Sequence, residues 1–213
     1  MDSSRTNRSE LRKRILFLGF FLAFSVLCGF APKDRSVWLA EVAPSWIIVL
    51  AVLELWRRGI RFSATACVFL LIPLCMEAVG GHYSYAEVPC RWLNDLLGGT
   101  RNYYDRAAHV AVGCFAWPLL ELIEQKRYSN SKWFTAIMTV MCFFGIGAIY
   151  EILEWRYAIR FDSGSAEMVL GSQGDIWDAQ KDMLCDGVGA AVTTFLFYAV
   201  QTFRHRVKQG GNR

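Results

Sequence analysis

Between Lys132 and Glu151 the chain runs eighteen residues, Trp133 to Tyr150, without a charged side chain. An α-helix of that length nearly spans the roughly 30 Å hydrocarbon core of a bilayer. A second run, Leu16 to Ala31, is apolar or small throughout. Four further segments repeat the pattern, so the sequence predicts membrane helices over 15–31, 37–55, 62–79, 107–123, 133–153 and 183–203. The expected fold is all-α: one polytopic integral-membrane domain covering residues 1–213, with about six transmembrane helices. Pro73 and Pro118 fall inside two of the spans, where each is positioned to kink its helix.

An even number of spans puts both termini on one side, and the basic residues choose which. Fifteen of the 23 Lys and Arg lie at the two ends and in the short connections 56–61 and 124–132. By the positive-inside rule those segments, and both termini, are cytoplasmic. Fourteen of the 19 acids fall on the opposite half, which also carries the two long connections, 80–106 and 154–182. Long connections in compact domains are where function concentrates. A net charge of +4, dispersed in short clusters, gives no footprint for nucleic acid, and membrane lipids are the expected partners. Seven cysteines show no CxxC spacing and lie mostly in apolar runs, so no disulfide framework is expected.

Chemistry concentrates at the outer ends of spans three to six. Asp105 and His109 are four apart, on one face as the fourth span begins; Glu151 and Glu154 are three apart as the fifth ends. Asp175, Asp178, Asp182 and Asp186 follow one another at intervals of three and four into the sixth, and Glu77 and His82 come from the third. Converging carboxylates repel unless a cation, a shared proton or nearby arginines compensate them. Imidazole with carboxylate suits zinc, manganese or iron, and all-oxygen ligation suits magnesium or calcium. Asp105, His109, Asp178 and Asp182 are therefore the candidate ligands of a divalent metal, with Glu151 and Glu154 as candidate catalytic bases. Glu77, His82, Asp175 and Asp186 are further candidates for the same polar site.

Plainer roles compete with these. Asp105 and Asp182 stand where helix N-caps are expected, and His109 can bond Asp105. Glu151 and Glu154 have Arg106 and Arg156 within reach as ion-pair partners. Tyr83, Tyr85, Trp92, Tyr103, Tyr104, Trp155, Tyr157 and Trp177 read as an interfacial aromatic belt. Gly171, Gly174, Gly187 and Gly189 read as close-packing positions. The cap reading covers Asp105 and Asp182 but leaves Glu77, Glu151, Asp178 and Asp186 for a shared site. No GxSxG, P-loop or HExxH motif occurs.

Several segments carry a resemblance: His82-Tyr83-Ser84-Tyr85 with Val88-Pro89, Arg101 to Arg106 with His109, Tyr150-Glu151 with Glu154-Trp155, and Gly171 through Met183. In them the chain resembles the uncharacterised YjdF-like family of bacterial inner-membrane proteins. That resemblance implies a multi-pass place in the bacterial inner membrane and no particular activity. A fainter similarity, to VanZ-like membrane proteins, rests on Asp105-Arg106 with His109, on Glu151, and on Asp182 with Gly189. Asp186 stands where that pattern has Asn. This similarity implies an envelope or lipid-linked substrate.

The expected function is thus a periplasm-facing acidic and histidine site that is metal-dependent and acts on or holds a lipid or envelope headgroup. The alternatives are a small cation or proton-coupled transporter using Glu151, Asp182 and Asp186, and a structural protein without catalysis. Whether the chain is an enzyme stays open at this level.

Overall fold

In lipid each backbone N–H and C=O has to be satisfied within its own segment, which selects helices wherever the chain is apolar. The computed structural model, which describes residues 2–98, 101–160 and 170–210, is helical accordingly and holds no strand among those residues. Helix α1 spans Asp2–Cys28, α2 Arg35–Arg57 and α3 Ala64–Tyr83. A single 3-10 turn, Tyr85–Glu87, and the short α4, Arg91–Leu97, follow on the acidic side. Helix α5 (Tyr104–Val112) continues through a 3-10 turn at Gly113–Phe115 into α6 (Ala116–Lys126); α7 covers Lys132–Ala158 and α8 Asp178–Gly210. The middle of the second long connection, 161–169, lies outside the described residues.

Five of these are long and apolar enough to cross a membrane: α2, α3, α5 continued by α6, α7 and α8. Helix α1 differs. Its first half is basic, and the helix stops at Cys28 rather than running to Ala31, which takes a left-handed φ of 52°. From Ile15 to Cys28 it rises about 21 Å, less than the hydrocarbon thickness. It packs along α3 and contributes Phe17 and Phe21 to the core.

Local chemistry sets the helix starts. Asp34 caps α2 by accepting from the backbone N–H of Ser36 (2.7 Å) and Val37 (3.1 Å), and the Ser36 hydroxyl holds its carboxyl below the usual range. Ser63 and Ser131 cap α3 and α7. Pro73 sits inside an unbroken α3. Pro118 lies in the first turn of α6, where its missing N–H costs nothing, and the tight turn at Gly113–Phe115 absorbs the mismatch ahead of it.

Two groups of helices result, α1–α2–α3 and α5–α6–α7–α8, joined where α3 meets α5 and α6. At the level of the basic connections the interior is apolar: Trp56, Leu70, Leu74, Trp117, Leu120 and Phe197 are buried there, with Phe17 edge-on to Trp56 at 5.4 Å. At the other end the interior is polar. Between the two ends α5 and α8 approach backbone to backbone, because Gly189 lies against the Val110 carbonyl and Gly113 against Gly189. Gly147 on α7 lies against the Asp186 carboxylate, and Gly187 against the Phe144 ring. The packing role expected for Gly187 and Gly189 is therefore seen. Gly171 and Gly174 serve differently, as turn residues with φ of +58° and +82°.

Candidate functional site

The site begins with two arginines rather than with the acids. Arg101 enters from the loop before α5, and its guanidinium reaches Asp105 Oδ2 (3.0 Å), Asp178 Oδ1 (2.7 Å) and the Ser172 carbonyl (3.0 Å). Arg106, one turn into α5, donates to the same Asp178 Oδ1 at 2.5 Å and to the Asp178 carbonyl at 3.0 Å, and forms an ion pair with Asp182. Both guanidiniums are nearly enclosed. Their planar forks let each serve two carboxylates at once, which a lysine ammonium at the same place does less well. Asp175 closes the outer rim, paired with Lys181 at 2.6 Å; that contact holds its carboxyl below the usual carboxylate range.

Beneath the arginines lies His109. Its Nδ1 is 3.2 Å from Asp186 Oδ1, and its Nε2 is 3.8 Å from both Asp105 Oδ1 and Asp182 Oδ1. Asp182 and Asp186 are only 3% and 1% exposed. One ligand atom from each of Asp105, His109 and Asp182 lies within 4.8 Å of the others, a spacing from which modest contraction gives a metal's first three ligands. Glu151, half-buried on α7, has a buried oxygen, Oε1, with no hydrogen-bond partner among the described residues. His109, Asp105 and Asp182 are among the charges acting on it.

A cavity of about 40 Å³ adjoins this group, lined among others by Glu77, Tyr85, His109, Tyr150, Glu154 and Asp186. That is room for an ion or a water, an order of magnitude below the several hundred Å³ of a small-molecule pocket. On its far side the Tyr150 hydroxyl lies between Glu77 Oε1 (2.6 Å) and Glu41 Oε2 (2.9 Å).

The two long connections are stitched together above. The Asn102 side chain donates to the Ala86 and Val88 carbonyls at 3.0 and 2.8 Å, and its backbone N–H donates to Gln173 Oε1 at 2.8 Å. Gln173 Nε2 returns a bond to the Asn102 carbonyl at 3.0 Å. Trp92, Ile176 and Trp177 remain exposed around this cover, whereas Tyr85, expected in the aromatic belt, is buried.

Of the residues expected from sequence, Asp105, His109, Asp182, Asp186, Glu151, Glu154 and Glu77 gather around the cavity or the three-ligand group. Asp178 lies one step outward, its Oδ1 shared by the two arginines. His82 is elsewhere: its Nδ1 meets the Cys28 carbonyl at 2.7 Å, tying α3 to the end of α1. Asp105 and Asp182 are not N-caps, since α5 starts at Tyr104 and α8 already at Asp178. The arginine partners also differ. Arg106 pairs with the aspartates of α8, and Arg156 stacks on Trp155 at 5.7 Å. Glu41, Tyr150 and Arg101 were not among the candidate site residues expected from sequence, although Tyr150 and Arg101 lie in segments that carry the family resemblance. The signal for Glu41 was a single acid inside an apolar span.

Fold and site together define a polytopic helical membrane protein with a buried arginine, histidine and carboxylate centre at one end of its bundle. The chain belongs to the family described as predicted membrane protein DUF2238, whose model matches residues 13–203. It is 35% identical over 178 residues to the inner membrane protein YjdF of Escherichia coli, covering 82% of this chain and 83% of that one. No solved structure matches it.

Proposed function

We propose that this single integral-membrane domain binds a divalent cation through Asp105, His109 and Asp182, and uses it on a polar lipid or envelope headgroup at the periplasmic side. The observation that carries the reading is the three-ligand group itself: buried, within 4.8 Å, and accompanied by a Glu151 carboxylate oxygen that has no hydrogen-bond partner among the described residues. A cation there would polarise one phosphoryl or carboxyl oxygen of the headgroup, and Glu151 or Glu154 would take or hold the proton. The small cavity has room for such an oxygen, and the rest of the headgroup would stay outside it. The similarity to VanZ-like proteins supports an envelope substrate.

Elemental analysis of the detergent-purified protein tests this. The wild type is expected to carry stoichiometric metal, and His109→Ala and Asp182→Asn to lose it while still inserting. Metal-free wild-type protein prepared without chelator, or variants of full occupancy, would overturn the reading.

The orientation rests on the basic asymmetry of the connections. A reporter fused at the exposed Trp92 in α4 is expected to be active only if it is of the periplasmic kind. Activity of a cytoplasmic reporter at that position would turn the site to the other face.

A further inference from the structure

Beside the three-ligand group, and on different helices, lies a second buried acidic pair. Glu41 of α2 is 2% exposed, and among the described residues no lysine or arginine forms an ion pair with it or with Glu77 of α3. The arginines of this end are already held by Asp105, Asp178 and Asp182. The Tyr150 hydroxyl joins the two glutamates, 2.9 Å from one and 2.6 Å from the other, and the Tyr85 hydroxyl also hydrogen-bonds both. Both distances are those of O–H···O hydrogen bonds.

A phenol carries one proton and donates once, and an ionised carboxylate only accepts. With both glutamates ionised, the one that Tyr150 does not serve would face the phenol oxygen lone pair to lone pair, in a setting of low dielectric. Tyr85 supplies a second phenol proton to the pair, so two protons serve four contacts, and the Tyr150 contact that neither fills closes when that carboxyl brings its own proton and donates it to Tyr150. The surroundings add more negative than positive charge. Tyr85 faces the pair from its 3-10 turn, Asp105 and His109 from α5, Glu154 from α7 and Asp186 from α8. The adjoining cavity, which Glu77 and Tyr150 line, has room for a water beside the pair.

We propose that Glu41 and Glu77, with Tyr150 between them, form a proton-binding pair that holds one exchangeable proton inside the membrane-spanning bundle. This bridge ties α7 to α2, two helices from different halves of the fold. With the proton bound it attracts them; without it, two carboxylates at the same hydroxyl push them apart.

Infrared spectroscopy of the full chain in detergent at neutral pH tests the proposal. The wild type is expected to show the carbonyl band of a neutral carboxylic acid that shifts on deuterium exchange and is lost in both Glu41→Gln and Glu77→Gln. In each variant the remaining carboxyl is free to ionise, because the new amide donates to the Tyr150 oxygen and the Tyr150 hydroxyl donates to that carboxylate. Tyr150→Phe removes no carboxyl and is expected to keep the band at a shifted position. A wild type without such a band, or a band that survives in both glutamine variants, overturns the proposal.

Should the variants fail to fold, wild-type protein treated with dicyclohexylcarbodiimide, which adds to protonated carboxyls in apolar surroundings, gives the same answer. One adduct per chain is expected, mapped by mass spectrometry to Glu41 or Glu77, and labelling confined to other acids overturns the pair. Neither glutamate belongs to the three-ligand group, so metal content measured on the same samples separates failure of this proposal from failure of the metal reading.

Discussion

Arg106→Ala is expected to lower the stability of the detergent-solubilised protein by about 3–5 kcal/mol, the cost of removing one partner from a buried ion pair. The loss is large because the guanidinium serves Asp178 and Asp182 together while nearly enclosed itself, and also approaches Asp175 at 3.4 Å. Its removal leaves Asp182, at 3% exposure, with His109 as its nearest cationic group. Thermal unfolding followed by circular dichroism measures the effect, and an unchanged midpoint would contradict the assigned pairing. Combining Arg106→Ala with Asp182→Asn is expected to cost less than the sum of the two single changes, since the second removes the charge that the first strands. Arg106→Lys should recover only part of the loss, because an ammonium lacks the fork that reaches two carboxylates.

The second large effect is expected at Gly189. A Cβ added there falls on the Val110 carbonyl oxygen and lies 2.9 Å from Val110 C. Overpacking in cores costs about 1–3 kcal/mol when side chains give way. Here the obstacle is the backbone of α5, with Gly113 beside it, so Gly189→Ala should reach the upper end of that range and Gly189→Val exceed it. Gly145→Ala is the internal control, because nothing lies within 4 Å of its added Cβ. That change should be neutral or slightly stabilising, by up to about 1 kcal/mol from helix propensity. Equal destabilisation at both positions would mean that α5 and α8 do not meet as described.

The helices were legible because their signal is local: a run of apolar residues long enough to cross a bilayer is visible without knowing any partner. The α-helical face shared by Asp105 and His109, and the three-and-four spacing of Asp178, Asp182 and Asp186, were legible for the same reason. Partners distant in sequence were not. Arg106 and Asp178 are 72 residues apart, and Glu41 and Tyr150 are 109 apart. Nothing in either neighbourhood announces the other. His82 was drawn to the site by its nearness to Glu77, but five residues turn a helix by about 140° beyond a full circle. Its ring therefore points to α1 instead. The start of α8 at Asp178 was hidden by its polarity, since a helical turn without apolar residues reads as loop.

The arginine bridge also orders events as the protein is made. Arg101, Arg106 and His109 leave the ribosome some seventy residues before the aspartates of α8 that hold them. Through that interval the nascent bundle carries at one end cationic groups that still lack the α8 carboxylates, and chains of this size fold from the N-terminus as they emerge. The last helix therefore does more than fill a gap: its arrival neutralises the charges waiting for it. A chain interrupted before Asp178 would keep most of its apolar segments and still lack the closing step.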